Sequence, residues 1–455
     1  MKKNNLNNEN FEGPKFTEFM KLFTNKKRIY NNLDLNKILM ADIEPYLFQK
    51  TNGLKFLLDK IYSILISVIK LIVNVYLFEY ILFEKSKGSL TWFIISPNIR
   101  DNYLEEANEL SAKSNPTIIS WKKIKNNKNV IERLSRIIIL FKLFKISYFN
   151  KMSLLQNINL AKTSFIALDL FNSFKQKKPP KIVFCMKDFQ RFENAIMQYA
   201  NLLNIESFTT QHAVHHYSIG KNNRFGEIVF KNSVAKNILT WGQFNCDVYS
   251  NFNKKLNIIP SQAILLPKIR PIIKKNQLIK PRLLICLPGR RHGKDNYRLL
   301  KLLKKIEDYI ENYELHLRIH PTENIDVIKN IINNLSFKKY INITEKYSDI
   351  SKEFSQLDTI AITGLTGTYY DLVYLGYKVI SFDPQYDLYK KMPVVLEGVI
   401  NENQLKKQIH YLNMLDFDKW NQIANQISFY TLGLKIREPR SKDIISEIEI
   451  ISGSQ

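Results

Sequence analysis

The stretch Glu314-Leu-His-Leu-Arg-Ile-His320-Pro321-Thr322-Glu323-Asn324 decides how the rest of the chain reads. Leu315, Leu317 and Ile319 alternate with His316 and Arg318, the two-residue period of a strand entering a sheet. Pro321 stops that strand, since proline has no N–H for the ladder and holds the residue before it extended. His320 therefore stands at a strand's carboxyl end, the edge where open α/β sheets bind ligands. Thr322 and Asn324 are both capping residue types for a helix expected over 325–335. A histidine beside a helix N-terminus suits a phosphate. The plainer alternative is a histidine in an ordinary strand-to-helix turn, and a lone His-Pro pair does not choose between them.

Working outward, apolar runs alternate with helical patterns on both sides. Strands are expected over 282–287, 340–343, 359–362 and 378–382, with helices between them and a helical tail from about 402. A helix over 297–309 separates the first of these from the opening stretch. Upstream, strands are expected over 90–96, 117–121, 181–186, 206–211, 237–241 and 263–266. Helices are expected over 130–148, 153–174 and 190–203. Strands and helices alternating at this spacing make parallel sheets. Pro267, Pro271 and Pro281 sit among lysines with little periodicity, which reads as a linker between two such units. The expected fold class is α/β, with two Rossmann-like domains, a cleft between their strand ends and an N-terminal helical segment. The boundaries read as a polar, disordered lead-in (1–55), an apolar amphipathic helix (56–88), a first Rossmann-like domain (89–270), a linker (271–281), a second Rossmann-like domain (282–435) and a C-terminal helix (436–455).

A chain of 455 residues, 45% hydrophobic and 12% aromatic, has ample material for two cores. The formal charge of +25 invites a polyanionic partner such as an anionic membrane surface or a nucleotide. The basic residues are spread along the chain without a compact nucleic-acid signature, so no nucleic-acid partner is expected. Lys, Asn, Ile, Phe and Tyr are all abundant, a bias that an AT-rich genome imposes by itself. The three cysteines, Cys185, Cys246 and Cys286, form no CxxC pair, which points to a reducing compartment. The polar N-terminus lacks the apolar core of a signal peptide, so the expected location is cytoplasmic. The segment 56–83 is long enough to span a bilayer. Lys60, Ser63, Ser67, Lys70 and Asn74 gather there into one polar stripe, and a mid-span lysine costs about 2.5–3.5 kcal/mol. An amphipathic helix that packs on the protein or lies at the membrane surface is therefore preferred to one that crosses it.

Four loops of the second half follow strand ends. Pro288-Gly289-Arg290-Arg291-His292-Gly293-Lys294 is flexible and positive, suited to phosphate, yet matches neither a Walker A loop nor a dinucleotide fingerprint. His320-Pro321-Thr322 is the second. Thr363-Gly364-Leu365-Thr366-Gly367-Thr368 opens a helix with small hydroxyl residues, where free backbone N–H groups attract an anion; a simple N-cap is the alternative. Asp383-Pro384 is the fourth. In the first half, Thr210-Gln211-His212-Ala213-Val214-His215-His216 carries three histidines just past a strand. No carboxylate or cysteine at matching spacing completes a metal site there, so no metal is expected. His212 is placed to take a proton from an attacking hydroxyl near neutral pH. Asp188, past the preceding strand, is a rival base or a group that orients His212.

These motifs, in this order, resemble nucleotide-sugar glycosyltransferases of the two-Rossmann, GT-B type over most of 90–455. The nearest likeness is to bacterial surface-polysaccharide enzymes: polysialyltransferase-like and capsule-linked proteins, and CDP-glycerol glycerophosphotransferase-like proteins of teichoic-acid synthesis. The family's His-Pro motif, which binds donor phosphate, is similar to His320-Pro321. Its Ser/Thr turn followed by Leu-Gly and a strand is similar to Thr363–Thr368 and then Leu375-Gly376-Tyr377-Lys378-Val379-Ile380. Its base-bearing His-Gly pair resembles His212-Ala213, with alanine for glycine, and the run from Gln211-His212 to Trp241-Gly242 resembles the "QHG … WG" region of capsule transferases. The paired-acidic-plus-glycine motif of polysialyltransferases has no counterpart, and the turn is threonine-only. The resemblance implies an enzyme that moves a sugar from a CMP-, CDP- or UDP-linked donor to a growing capsule or lipooligosaccharide, with inversion and without metal or other cofactor. It makes 89–270 the acceptor domain and 282–435 the donor domain. Implied donor contacts are Gly289, Arg290, Arg291, His320, Pro321, Thr322, Thr363, Gly364, Thr366, Gly367 and Thr368, with His212 or Asp188 catalytic. Implied partners are a glycan or lipid-linked acceptor and the anionic inner-membrane surface. A CDP-donor polyol-phosphate transferase and a non-catalytic membrane-surface binding protein are the rival expectations.

Overall fold

The computed structural model describes residues 29–30, 33–35, 37–38, 69, 78–97, 115–125, 129–131, 134, 154–188, 191–211, 214, 232–264, 266–267, 269–270, 272, 280–289, 292–320, 323–344, 350–384, 392–439 and 444–453. A short antiparallel pair, β1 (Ile29–Tyr30) and β2 (Leu33–Asp34), comes first. A seven-stranded sheet follows: β3 (Phe78–Ser86), β4 (Thr91–Ile94), β5 (Thr117–Lys125), β6 (Ile182–Cys185), β7 (Glu206–Thr210), β8 (Asn237–Trp241) and β9 (Asn257–Ser261). Its order is β3-β5-β4-β6-β7-β8-β9, parallel except for the edge strand β3. Helices α1 (Leu154–Lys175), α2 (Arg191–Leu202) and α3 (Gly242–Phe252) connect or follow these strands. The chain reverses its winding between β4 and β6.

The second sheet is wholly parallel. It contains β10 (Arg282–Cys286), β11 (Glu314–Arg318), β12 (Ile341–Thr344), β13 (Thr359–Gly364) and β14 (Lys378–Phe382) in the order β12-β11-β10-β13-β14. Its helices are α4 (Gly293–Lys305), α5 (Ile325–Leu335), α6 (Ile350–Glu353), α7 (Gly367–Tyr374), α8 (Glu402–Met414), α9 (Phe417–Leu432) and α10 (Ile444–Ile451). Numbered along the chain the strand order is 3-2-1-4-5, the doubly wound order of a Rossmann domain, with its switch point between β10 and β13. The expected α/β class with two Rossmann-like units holds.

The reasons are visible strand by strand. Every residue of β6 and β13 is buried, as a strand covered on both faces requires. α4 turns Leu299, Leu300, Leu302 and Leu303 inward and Lys301 and Lys305 outward. One core cluster runs through the second sheet into one side of the first. Another fills the far side of the first sheet beneath α1 and α2.

After leaving the second sheet the chain returns to the first. Gly242 has φ +60°, and a Cβ there would meet the Tyr430 carbonyl at 2.4 Å. Gly433, φ +71°, would meet Ser261 O at 2.5 Å. Ala263 N donates to Leu432 O (2.8 Å), and buried Asn245 Nδ2 donates to Thr431 O (3.0 Å). The end of α9 is thus seated on α3 and β9 at two positions that only glycine fills without strain.

Four sequence expectations change. The apolar segment 56–88 does not stay helical: Phe78–Ser86 is strand β3, paired antiparallel with β5, while 56–68 and 70–77 lie outside the described residues. No helix among the described residues is long and apolar enough to cross a membrane. The lead-in is not wholly disordered, because Leu35 and Ile38 are fully buried beside α1 and α2. The strand expected over 263–266 forms instead at Asn257–Ser261, where Pro260 is tolerated because β9 is an edge strand. α3 was not expected. Its sequence is polar, and burial of Phe244, Val248 and Tyr249 supplies what propensity does not. Most of the helix expected over 130–148 and most of the linker expected over 271–281 lie outside the described residues.

Candidate functional site

At the switch point of the second sheet, β10 runs into Leu287-Pro288-Gly289 and β13 into Leu365-Thr366. The two loops touch: a Cβ on Gly364 would lie 2.9 Å from Pro288 Cγ. Proline is rigid, so glycine at 364 sets how closely the loops approach. Thr366 N donates to Gly364 O (2.8 Å), turning the chain into α7. Thr366 is the N-cap, yet its side chain makes no capping bond. A Cβ on Gly367 would meet no described residue within 4 Å, so among the described residues the helix start is open. Thr363 is buried; Thr366, Gly367 and Thr368 are half-buried.

His320, half-buried, stands one strand over, beyond the carboxyl end of β11. Its carbonyl accepts from Glu323 N (2.8 Å), and Asn324 caps α5 by accepting from Asp326 N (2.9 Å). One side chain ties the loops together. Asn296, 1% exposed on α4, donates through Nδ2 to the Pro288 carbonyl (2.9 Å) and to Glu323 Oε1 (3.0 Å). Its Oδ1 is buried without a partner among the described residues. Sequence reading missed both Asn296 and Glu323. The available signal was an asparagine among the inward positions of an amphipathic helix, a place where a polar group must have a reason. Gly289 accepts from His292 N (2.8 Å), whereas Arg290, Arg291, Pro321 and Thr322 lie outside the described residues. Asp383 is buried at the end of β14, near enough to Tyr370 to help raise that phenol.

In the first sheet, His212 and Ala213 lie outside the described residues, as do His215 and His216. The flanking positions are fixed. Gln211, 1% exposed, accepts from Trp241 N through Oε1 (2.7 Å), so the two halves of the Gln-His to Trp-Gly run are directly bonded. Asp188, 2% exposed, accepts through Oδ2 from Ser233 Oγ (2.7 Å), Val234 N (2.5 Å) and Ala235 N (2.8 Å). Burial raises its carboxyl, and the bonds from Ala235, Ser233 and Val234 pull it back down. Such a group holds the segment entering β8. Around it, Asn194 Nδ2 donates to Asp188 O (2.7 Å), and Gln198 Nε2 donates to Asn194 Oδ1 (2.8 Å) and Asp34 O (3.1 Å). The N-terminal segment is thereby tied to the strand ends of the first sheet. Glu193, on the same helix, is pushed up to about 7 by burial.

No family model matches the chain, and no curated protein matches it either. Solved structures show partial likeness. MnaA of S. aureus, solved with UDP, is 11% identical, with 80% of this chain and 97% of that chain covered at a TM-score of 0.47. The UDP-GlcNAc 2-epimerase of Methanocaldococcus jannaschii, solved with UDP-GlcNAc and UDP, is 12% identical, covering 80% and 99% at 0.47. A mutant of S. aureus TarM, solved with fondaparinux, alpha-GlcNAc-glycerol and UDP, is 12% identical, covering 65% and 59% at 0.44. The fold assignment stands on the strand order itself.

Proposed function

We propose that this protein is a glycosyltransferase that passes a sugar from a nucleotide-activated donor to a bacterial surface glycan. The observation that carries the reading is the Pro288–Gly364 contact at the switch point of a 3-2-1-4-5 sheet, beside an uncapped, open helix start. Free N–H groups there, with the Thr366 and Thr368 hydroxyls and His320 one strand away, suit the diphosphate of a nucleotide. Negative charge grows on that diphosphate as the glycosidic bond breaks. His320, Thr366, Gly367, Thr368 and Arg290 or Arg291 offset it, more strongly in the transition state than in the bound donor. His212, carried by the segment after β7, takes the acceptor's proton, and the reaction inverts the sugar carbon. Asp188 holds the neighbouring segment in place. Cations and a helix start supply the counter-charge, so the scheme needs no metal.

Association with the anionic inner-membrane surface is part of the reading. Val130, Ile131 and Leu134 expose apolar side chains soon after Lys122, Lys123 and Lys125, an apolar and basic combination that favours anionic lipid. The test of function is product analysis with CMP-, CDP- and UDP-sugars and CDP-glycerol. A sugar-extended acceptor supports the proposal; a phosphoglycerol product, or none from any donor, overturns it.

A further inference from the structure

Arg318 ends β11 two residues before His320. Register pairs it with Cys286, pairs Cys286 with Thr363, and pairs Thr363 with Ser381. Residues in register on parallel strands leave the sheet on the same face, so these four form one row beneath the carboxyl edge. The Arg318 guanidinium makes no hydrogen bond or ion pair with any described residue, although its charge acts on Cys286 and on Asp371. Asp371 is on α7, four residues beyond Gly367, and therefore on the helix face that is open at Gly367. Ser381 Oγ, in the same row, is buried and has no hydrogen-bond partner among the described residues. A half-buried guanidinium without a hydrogen-bonded partner among the described residues, whose charge reaches the helix with the open start, is a cation held in reserve.

We propose that Arg318 is a further phosphate-binding residue of the nucleotide subsite and Asp371 its resting counter-charge, so that binding a nucleoside diphosphate draws Arg318 onto phosphate and brings a solvent proton onto Asp371. The proposal rests on the functional reading above. Burial pushes the Asp371 carboxyl up to about 7, while Arg318 pulls it down. Phosphate neutralises Arg318 and adds negative charge nearby. Both effects raise the carboxyl further, so binding takes up a proton from the buffer above about pH 7 and none near pH 5, where Asp371 is already protonated. Arg318 also acts on Cys286, and Tyr370 adjoins Asp371 in the chain with Asp383 acting on it. The Cys286 thiol is held up at about 12 and Tyr370 well above its ordinary value, so both stay neutral. His320 is the rival source of proton uptake.

The experiment is isothermal titration of the full chain with UDP and with CDP, in two buffers of different ionisation enthalpy, at pH 5.5, 7.5 and 8.5. The expected wild-type uptake is near zero at pH 5.5 and more than about half a proton at pH 8.5. Asp371→Asn, neutral without taking up a proton, binds more tightly than wild type at pH 8.5 and loses most of the uptake. His320→Gln keeps a clear part of the uptake, which reads Asp371 even if Asp371→Asn fails to fold. Arg318→Gln binds roughly 10- to 100-fold more weakly. Binding without uptake, or uptake unchanged in Asp371→Asn, overturns this proposal and leaves the nucleotide site standing. If neither UDP nor CDP binds the wild-type protein, the functional reading falls and takes this proposal with it.

Discussion

Replacing Asn296 tests whether two loops of the second sheet, those after β10 and β11, are held by one side chain. Asn296→Ala removes a bond to a neutral carbonyl, worth about 1 kcal/mol, and one to the Glu323 carboxyl, worth about 1.5–3 kcal/mol. The expected loss is about 3 kcal/mol, read as a shift in the urea midpoint and accompanied by weaker nucleotide binding. Asn296→Asp keeps the shape but turns a donor into an acceptor, so three oxygens face one another in a site 1% exposed. An unpaired buried charge costs about 3–5 kcal/mol, and at pH 8 this variant is the less stable of the two. Its introduced carboxyl has a raised folded-state pKa, so the defect shrinks as pH falls and the protonated acid recovers a donor. An Asn296→Ala loss below about 0.5 kcal/mol, or an Asn296→Asp variant no worse than it at pH 8, refutes the clasp.

Gly242→Ala loses at least about 1–2 kcal/mol from left-handed backbone alone. The contact with Tyr430 O adds to this, and an unchanged urea midpoint would contradict the seating of α9 on α3. Glu193, raised to about 7 by burial, binds its proton more tightly folded than unfolded. Its stabilising contribution is complete at acid pH and lost as pH rises from about 4.5 to 7, so Glu193→Gln flattens that decline by up to about 1.4 kcal/mol per pH unit. Identical pH profiles would remove Glu193 from the titrating groups. His320→Ala leaves the circular-dichroism spectrum intact and lowers turnover by roughly 10²-fold or more; turnover near wild type excludes the phosphate role.

Strands β10, β11, β13 and β14 were legible because each is an apolar or alternating run closed by Pro, Gly or Asp, and their helices carry inward leucines at helical spacing. Pairing was not legible. Phe78–Ser86 continues an apolar stretch that fits a helical stripe, and only its antiparallel ladder with β5 makes it a strand. Pro260 argued against the strand that forms, because its place at the sheet's edge is a property of topology. In the candidate site, His320 and Thr366–Thr368 were readable from position at strand ends. Asn296, Glu323, Arg318 and Asp371 were not. Their meaning comes from which loops a helix side chain can reach and which strands lie in register, and neither is a local pattern. Asp188, read from the sequence as a rival base or a group that orients His212, has a structural part that no local pattern showed: three donors from 233–235 bond its Oδ2.

Thermal denaturation of the wild-type protein and His320→Ala with increasing UDP, CDP and CMP measures the nucleotide site most directly. At least one nucleotide is expected to raise the wild-type melting temperature in proportion to the logarithm of its concentration. The stabilisation reaches about 2.7 kcal/mol at a hundredfold excess over Kd, and His320→Ala gives a much smaller shift. A wild-type melting temperature that none of the three moves at millimolar concentration would contradict a nucleotide site at the switch point of the second sheet.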